Sequence, residues 1–168
     1  MAGTFASIMA VVTLLGIAQD GGRPQPGCTR ACCQGLTEQD YRSPVSLGIK
    51  TNNGTTLLIE ATRDLGRQLR MMSNPSIDHL FITHAHLGHV DGLGLFGRET
   101  MSARNIKLHC SPSMYSLIER TPAWNQLLLQ NVLEFGFFPR IEIDGIIVEF
   151  IQVPHRAELS DMHAIIIR

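Results

Sequence analysis

What the 168-residue chain lacks narrows it first. Neither charge is in excess: 14 Lys+Arg against 15 Asp+Glu give a formal charge of −1. That leaves no basic footprint for nucleic acid and no polybasic patch for a membrane surface. Charged residues are only 17% of the chain, whereas 44% is hydrophobic, a balance that builds a buried core and argues against disorder. A long apolar run is also missing. The longest, residues 5–18, is interrupted by Ser7, Thr13 and Gly16 and falls short of the about 20 residues a membrane span needs. Small residues around Ala18 would suit signal-peptide cleavage, but no Lys or Arg precedes Arg23. A cytoplasmic protein whose residues 11–17 form a buried strand is the better reading.

Cysteines are few. Three of the four, Cys28, Cys32 and Cys33, crowd into six positions, and adjacent Cys32 and Cys33 are poorly placed to pair with each other. Disulfide frameworks use more cysteines, spread more widely. Reduced thiols remain, either free in an exposed loop or holding a structural metal, for which no fourth ligand is evident. Cys110 reads as a small core residue. There is no internal repeat, low-complexity tract or linker, so residues 1–168 read as one domain.

Along the chain, strands and helices alternate in groups. Residues 18–44 form a long loop with several Gly, Pro and Cys, and loops of that length are usually functional or pinned. Asn53-Gly54 predicts a hairpin between strands at 45–50 and 55–60, and Asp144-Gly145 a second between 140–143 and 146–153. Thr62 is positioned to cap a helix over 63–72, which Asn74-Pro75 would stop. A strand over 78–83 runs into a histidine cluster, and a helical segment is expected over 92–102. Ser111-Pro112 and Thr121-Pro122 open two further helices, ending near 119 and 133. Met71-Met72 and residues 127–129 read as core, and 164–167 as a core strand. The pattern predicts an α/β layered domain.

His84-Ala85-His86-Leu87-Gly88-His89 follows its strand without a gap. Residues two apart in an extended segment point the same way, so His84 and His86 can face one metal. His89 can join if the chain curls into a helix start. Neutral imidazole suits Zn²⁺ or Fe²⁺, and a catalytic zinc needs three protein ligands and an open position. Asp91 and Asp20 are the carboxylates best placed to act as a general base, although Asp91 could equally cap a helix and Asp20 form a turn. His155, after Pro154 at the end of an apolar strand, is a further candidate ligand. Asp161 could support the site from behind, and His163 belongs beside or within the last strand.

The run 83–92 resembles the HxHxDH signature of the metallo-β-lactamase fold. Residues 15–28, LGIAQDGGRPQPGC, resemble the opening of proteins in the PqqB-like group, similar to the pyrroloquinoline-quinone synthesis protein B. Residues 153–161, VPHRAELSD, resemble that group's third-ligand segment, and 95–99 and 122–127 also look like it. The resemblance spans nearly the whole chain. It implies an αββα-type fold of mixed sheets flanked by helices, with His84, His86 and His155 at a first metal and His89 at a second. It also implies a metal-dependent hydrolase in which metal-bound hydroxide attacks an ester, amide or phosphoester of a small molecule, with zinc as the metal and iron or manganese as alternatives.

Two departures fall on the second metal. Gly88 stands where the signature has aspartate, and the chain ends before the fold's bridging aspartate and last histidine. The N-terminal part of the fold alone, with a mononuclear or damaged dinuclear site, is therefore the expectation. Two rival readings remain open. One is an iron-dependent oxidoreductase on the same site. The other is a non-catalytic metal-binding fragment, or an oligomer that completes itself with a partner.

Overall fold

The computed structural model describes residues 10–73 and 76–168. Residues 5–9 of the first apolar run and the Asn74-Pro75 helix stop therefore lie outside the described residues. Among the described residues, nine strands form two sheets. The first holds β1 (Ala10–Gly16), β2 (Ser46–Thr51), β3 (Thr56–Ile59), β4 (His79–Phe81), β5 (Ile106–His109) and β6 (Leu133–Phe135), side by side in chain order. β1 to β3 are antiparallel neighbours, β2 and β3 forming a hairpin; β3 to β6 run parallel. The second sheet is the antiparallel trio β7 (Arg140–Ile143), β8 (Ile146–Gln152) and β9 (His163–Ile167).

Side-chain alternation explains the layers. Leu58, Leu80 and Leu108 face one way and pack with Leu65 and Leu69 of α1 (Leu65–Met71), Met114 and Ile118 of α3 (Pro112–Arg120), and Leu127 of α4 (Pro122–Leu129). Leu57, Ile59 and Phe81 face the other way, against Ile143, Ile146, Val148 and Phe150 of the second sheet. Strands β3 and β4 are thus buried on both faces and read as continuous apolar runs. The result is an α/β fold of mixed sheets flanked by helices. No helical residue belongs to the inter-sheet core among the described residues.

Local chemistry sets several boundaries. Ser111 accepts a hydrogen bond from the Met114 N–H, with Pro112 opening α3. The Asp144-Gly145 turn uses positive φ at both residues. Its carboxylate accepts from Thr51 Oγ1 at 2.6 Å and Asn53 Nδ2 at 2.9 Å, tying the two hairpin turns together. Three expectations are corrected. Residues 92–102 form no helix, only a 3₁₀ turn at Leu93–Phe96, because Gly92 is pressed against the Thr62 carbonyl and its N–H bonds Ala61 O at 2.8 Å. The 11–17 strand is not buried: β1 is an edge strand, and Val11, Leu14 and Ile17 are each about two-thirds exposed. Met71 and Leu129 are likewise exposed, whereas Leu127 is core.

Candidate metal centre

The histidines stand at the end of β4, held on both sides. Glu60 N–H bonds Phe81 O at 2.9 Å and Ile82 N–H bonds His109 O at 3.0 Å, so the ladder continues to the edge of the site. His84 is buried. The Thr83 hydroxyl donates to Glu60 Oε1 at 2.5 Å and lies 2.8 Å from His84 Nδ1. A hydroxyl has one proton, so having donated it Thr83 can only accept from His84. That places the proton on Nδ1 and leaves the Nε2 lone pair free. Burial, reinforced by neighbouring histidines, pulls the His84 pKa down to about 4, which keeps the ring neutral near pH 7.

His86 meets this lone pair. Its Nδ1 lies 3.1 Å from His84 Nε2, and its Nε2 lies 3.0 Å from Glu158. With Nε2–H donated to Glu158, His86 Nδ1 also presents a lone pair. Two lone pairs aimed at one point repel unless a cation lies between them, so the donor set suits a metal ion. The chain folds back to complete it. Val153 N–H bonds Met162 O at 3.1 Å, and buried Ser160 accepts from Ala85 N–H at 3.1 Å. This holds the loop after β8 beside the cluster. One nitrogen each of His84, His86 and His155 then lies within 4.8 Å of the others.

His89 sits on α2 (Leu87–Val90), one step from the triad, its ring centroid 4.1 Å from that of His84. Its Nδ1 lies 3.3 Å from Glu60 and its Nε2 3.6 Å from Asp20. Burial alone would lower the His89 pKa, but the Glu60 and Asp20 carboxylates outweigh it and hold it above the usual value. Asp20 is therefore brought to the cluster. Asp91 is not: its carboxylate pairs with Arg63 at 2.6 Å on the surface. Asp161 is taken up by Ser111 and by the Ser113 hydroxyl, near the start of α3. His163 opens β9 with a buried, unpartnered Nδ1.

Glu60 and Glu158 are the site residues that sequence reasoning missed. Glu60 left one signal, an acid closing an otherwise apolar strand. It is buried and adopts a φ of 66°, a region that side chains rarely enter. Strain of that kind persists only where surroundings over-determine it. Here its amide, its carboxylate and the Ala61 N–H bond to His89 O at 2.9 Å all converge. Glu158 left none, since its position depends on how the loop after β8 returns.

The cysteine loop forms a second cluster. Sγ atoms of Cys28, Cys32 and Cys33 lie within 4.8 Å of one another, and Cys32 and Cys33 Sγ are 3.9 Å apart. Thiolates bound to one tetrahedral zinc at about 2.3 Å sit roughly 3.8 Å apart, so the spacing is compatible. Gln25 N–H points at Cys33 Sγ and Arg23 Nε donates to Cys32 O. Cys110, by contrast, is fully buried, and burial pushes its thiol up to about 12.

Solved structures share this architecture. A diphosphatase from the PhnP family is 25% identical with a TM-score of 0.70, the match covering 95% of this chain and 63% of that one. Zinc-bound PqqB from Methylobacterium extorquens is 19% identical with a TM-score of 0.72, covering 94% and 58%. The short form of human tRNase Z is 15% identical with a TM-score of 0.57, covering 95% and 65%. The chain has the metallo-β-lactamase fold. It spans about three-fifths of the length of these metallo-β-lactamase-fold neighbours, and its resemblance to the PqqB-like group is supported. No family model matches the chain. Among curated proteins, an octanoyltransferase from Porphyromonas gingivalis is 35% identical over 80 residues, which are 48% of this chain and 16% of that protein. The fold is shared with these proteins, and the His84, His86 and His155 group of this chain could hold a metal ion. No helix among the described residues is long and apolar enough to cross a membrane.

Proposed function

We propose that the chain carries the catalytic histidines of a metal-dependent hydrolase acting on a small ester or phosphoester, with zinc as the resident ion. One observation carries this reading: His84 Nε2 and His86 Nδ1 converge to 3.1 Å while a carboxylate supports the far side of each ring, one through Thr83 and one directly. A divalent ion bound there supplies Lewis acidity and lowers the pKa of water to about 7. The protein's own work is orientation. Glu60, through Thr83, keeps the proton on His84 Nδ1; Glu158 keeps the proton on His86 Nε2; Ser160 holds the segment carrying His155 in reach.

Beside these groups a cavity of about 590 Å³ runs between the sheets, lined by His84, His89, Leu14, Ile17, Val45 and Ile165. A substrate with an apolar portion next to its ester fits that lining. The PhnP-family diphosphatase and tRNase Z among the structural neighbours favour the phosphoester class. The thiolates of Cys28, Cys32 and Cys33 would hold a separate, structural ion that pins the long loop.

The test is hydrolysis of bis(p-nitrophenyl) phosphate and p-nitrophenyl acetate by the chain reconstituted with Zn²⁺, Mn²⁺ or Fe²⁺. Turnover that a chelator abolishes and His86→Ala removes is expected. A metal-loaded chain that hydrolyses neither would contradict the reading.

A further inference from the structure

Gly88 has no side chain where the metallo-β-lactamase signature carries a carboxylate, yet its surroundings are not empty. A Cβ built on Gly88 would lie 2.5 Å from Asp20 Cβ and 2.8 Å from Asp20 Cγ. Those are overlaps, not contacts. The volume that an aspartate at position 88 would fill is already filled by an aspartate from the turn after β1.

Asp20 also faces the right partner. Its Oδ1 lies 3.6 Å from His89 Nε2, and among the described residues no Lys or Arg pairs with it. Two ligand atoms on one tetrahedral ion, each at about 2.1 Å, are separated by roughly 3.4 Å. The Asp20–His89 gap matches that separation and exceeds a direct hydrogen bond. His89 is oriented to suit: its Nδ1 side faces Glu60 at 3.3 Å, which leaves Nε2 turned toward Asp20.

We propose that Asp20 replaces the carboxylate missing at Gly88, so that Asp20 and His89 hold a second divalent cation beside the His84, His86 and His155 triad. This deepens the hydrolase reading and rests on it. It also changes what Gly88 means. The glycine is the space that admits Asp20, and the carboxylate has moved to a different loop instead of being lost. The site that a linear motif marks as damaged is rebuilt by the turn that follows Gly16, where β1 approaches the Ser43–Pro44 backbone closely enough to exclude a side chain.

Mn²⁺ titration followed by electron paramagnetic resonance separates the possibilities, because a hard ion prefers the nitrogen and carboxylate site over the thiolates. Wild type, Asp20→Asn and Asp20→Ala would be compared, with His86→Ala as the control for the triad. A spin-coupled two-manganese signal in wild type should give way to an isolated one-manganese signal in both Asp20 variants, with second-ion affinity falling at least about tenfold. Asp20→Asn preserves shape, which guards against a folding artefact in Asp20→Ala. An uncoupled signal in wild type, or a coupled signal that survives both substitutions, would overturn the proposal while leaving the triad standing. Manganese binding unchanged by His86→Ala would instead overturn the hydrolase reading beneath it.

Discussion

Two regions bring together side chains that could hold a metal ion, and they are built differently. The histidines stand at the end of β4, between β3 and β5, and two of the rings are hydrogen-bonded from behind, His84 by Thr83 and through it Glu60, and His86 by Glu158, while Glu60 faces His89 Nδ1 at 3.3 Å. The cysteines sit in a loop with no strand between β1 and β2. Around them are turn hydrogen bonds of the loop itself, the Gln25 amide points at the Cys33 thiol, Arg23 donates to the Cys32 carbonyl, and Cys32 is exposed. A braced site has its geometry before the ion arrives. A loop of thiols acquires much of its order from the ion, so its binding free energy is largely folding free energy. The first arrangement suits chemistry, which needs an open position held rigidly; the second suits a clasp.

Breaking the braced region should have the largest effect. His84→Ala removes a ligand, and turnover of a p-nitrophenyl ester should fall more than about 100-fold, beyond what loss of an outer partner costs. Stopped activity assays on the zinc-loaded chain check this. Glu60→Gln keeps the shape but removes the carboxylate that fixes His84 and faces His89. Metal affinity should drop about 10- to 100-fold, read by competition with a chromophoric chelator. An unchanged affinity would mean that the rings are oriented by packing alone.

Breaking the clasp should act on stability. Cys32→Ser should remove the cysteine-loop share of zinc-dependent stabilisation, about 2.7 kcal/mol at a hundredfold excess of ion over that site's Kd, while the histidine-site share and hydrolysis remain. Thermal unfolding with and without zinc reads it. If Cys32→Ser instead eliminates hydrolysis at temperatures where the chain remains folded, the two regions are not separable as described.

Acid sharpens the contrast, because the strand framework carries buried histidines. His109 lies 2.9 Å from His79, stacks on Phe81, and is pulled down to about 4, chiefly by burial. Unfolded, it takes up a proton near 6.5; folded, it resists until about 4. Its contribution is therefore fully present above pH 6.5 and is lost as pH falls from 6.5 to 4. The Tm of metal-free protein should decline across that window, and His109→Asn, though less stable at neutral pH, should decline less. The smallest effect belongs to Asp91→Asn. Its partly exposed pair with Arg63 is worth at most about 1 kcal/mol, and hydrolysis should be unaffected.

Local chemistry was readable in the sequence. His84, His86 and His89 share one segment, so their convergence follows from strand and helix periodicity. The Asn53-Gly54 and Asp144-Gly145 hairpins and the Ser111-Pro112 helix start likewise depend on neighbours only. What was hidden depends on chain return. Glu158 reaches His86 through the loop after β8, and Asp20 reaches Gly88 through tertiary packing that no spacing rule encodes. The absent helix over 92–102 has the same origin: glycine there serves a backbone approach to Thr62, and that approach overrides the helical pattern. β1 looked buried because it is apolar, but an edge strand in this fold leaves Val11 and Leu14 exposed.

The central claim is that the strand-end triad binds a metal ion independently of the cysteine loop. Zinc per chain, measured by mass spectrometry on monodisperse wild type and His86→Ala after equilibrium dialysis, tests it most directly. The account predicts that His86→Ala loses at least one equivalent and retains the cysteine-bound one. Zinc content unchanged by His86→Ala would place all of the metal at Cys28, Cys32 and Cys33 and contradict it.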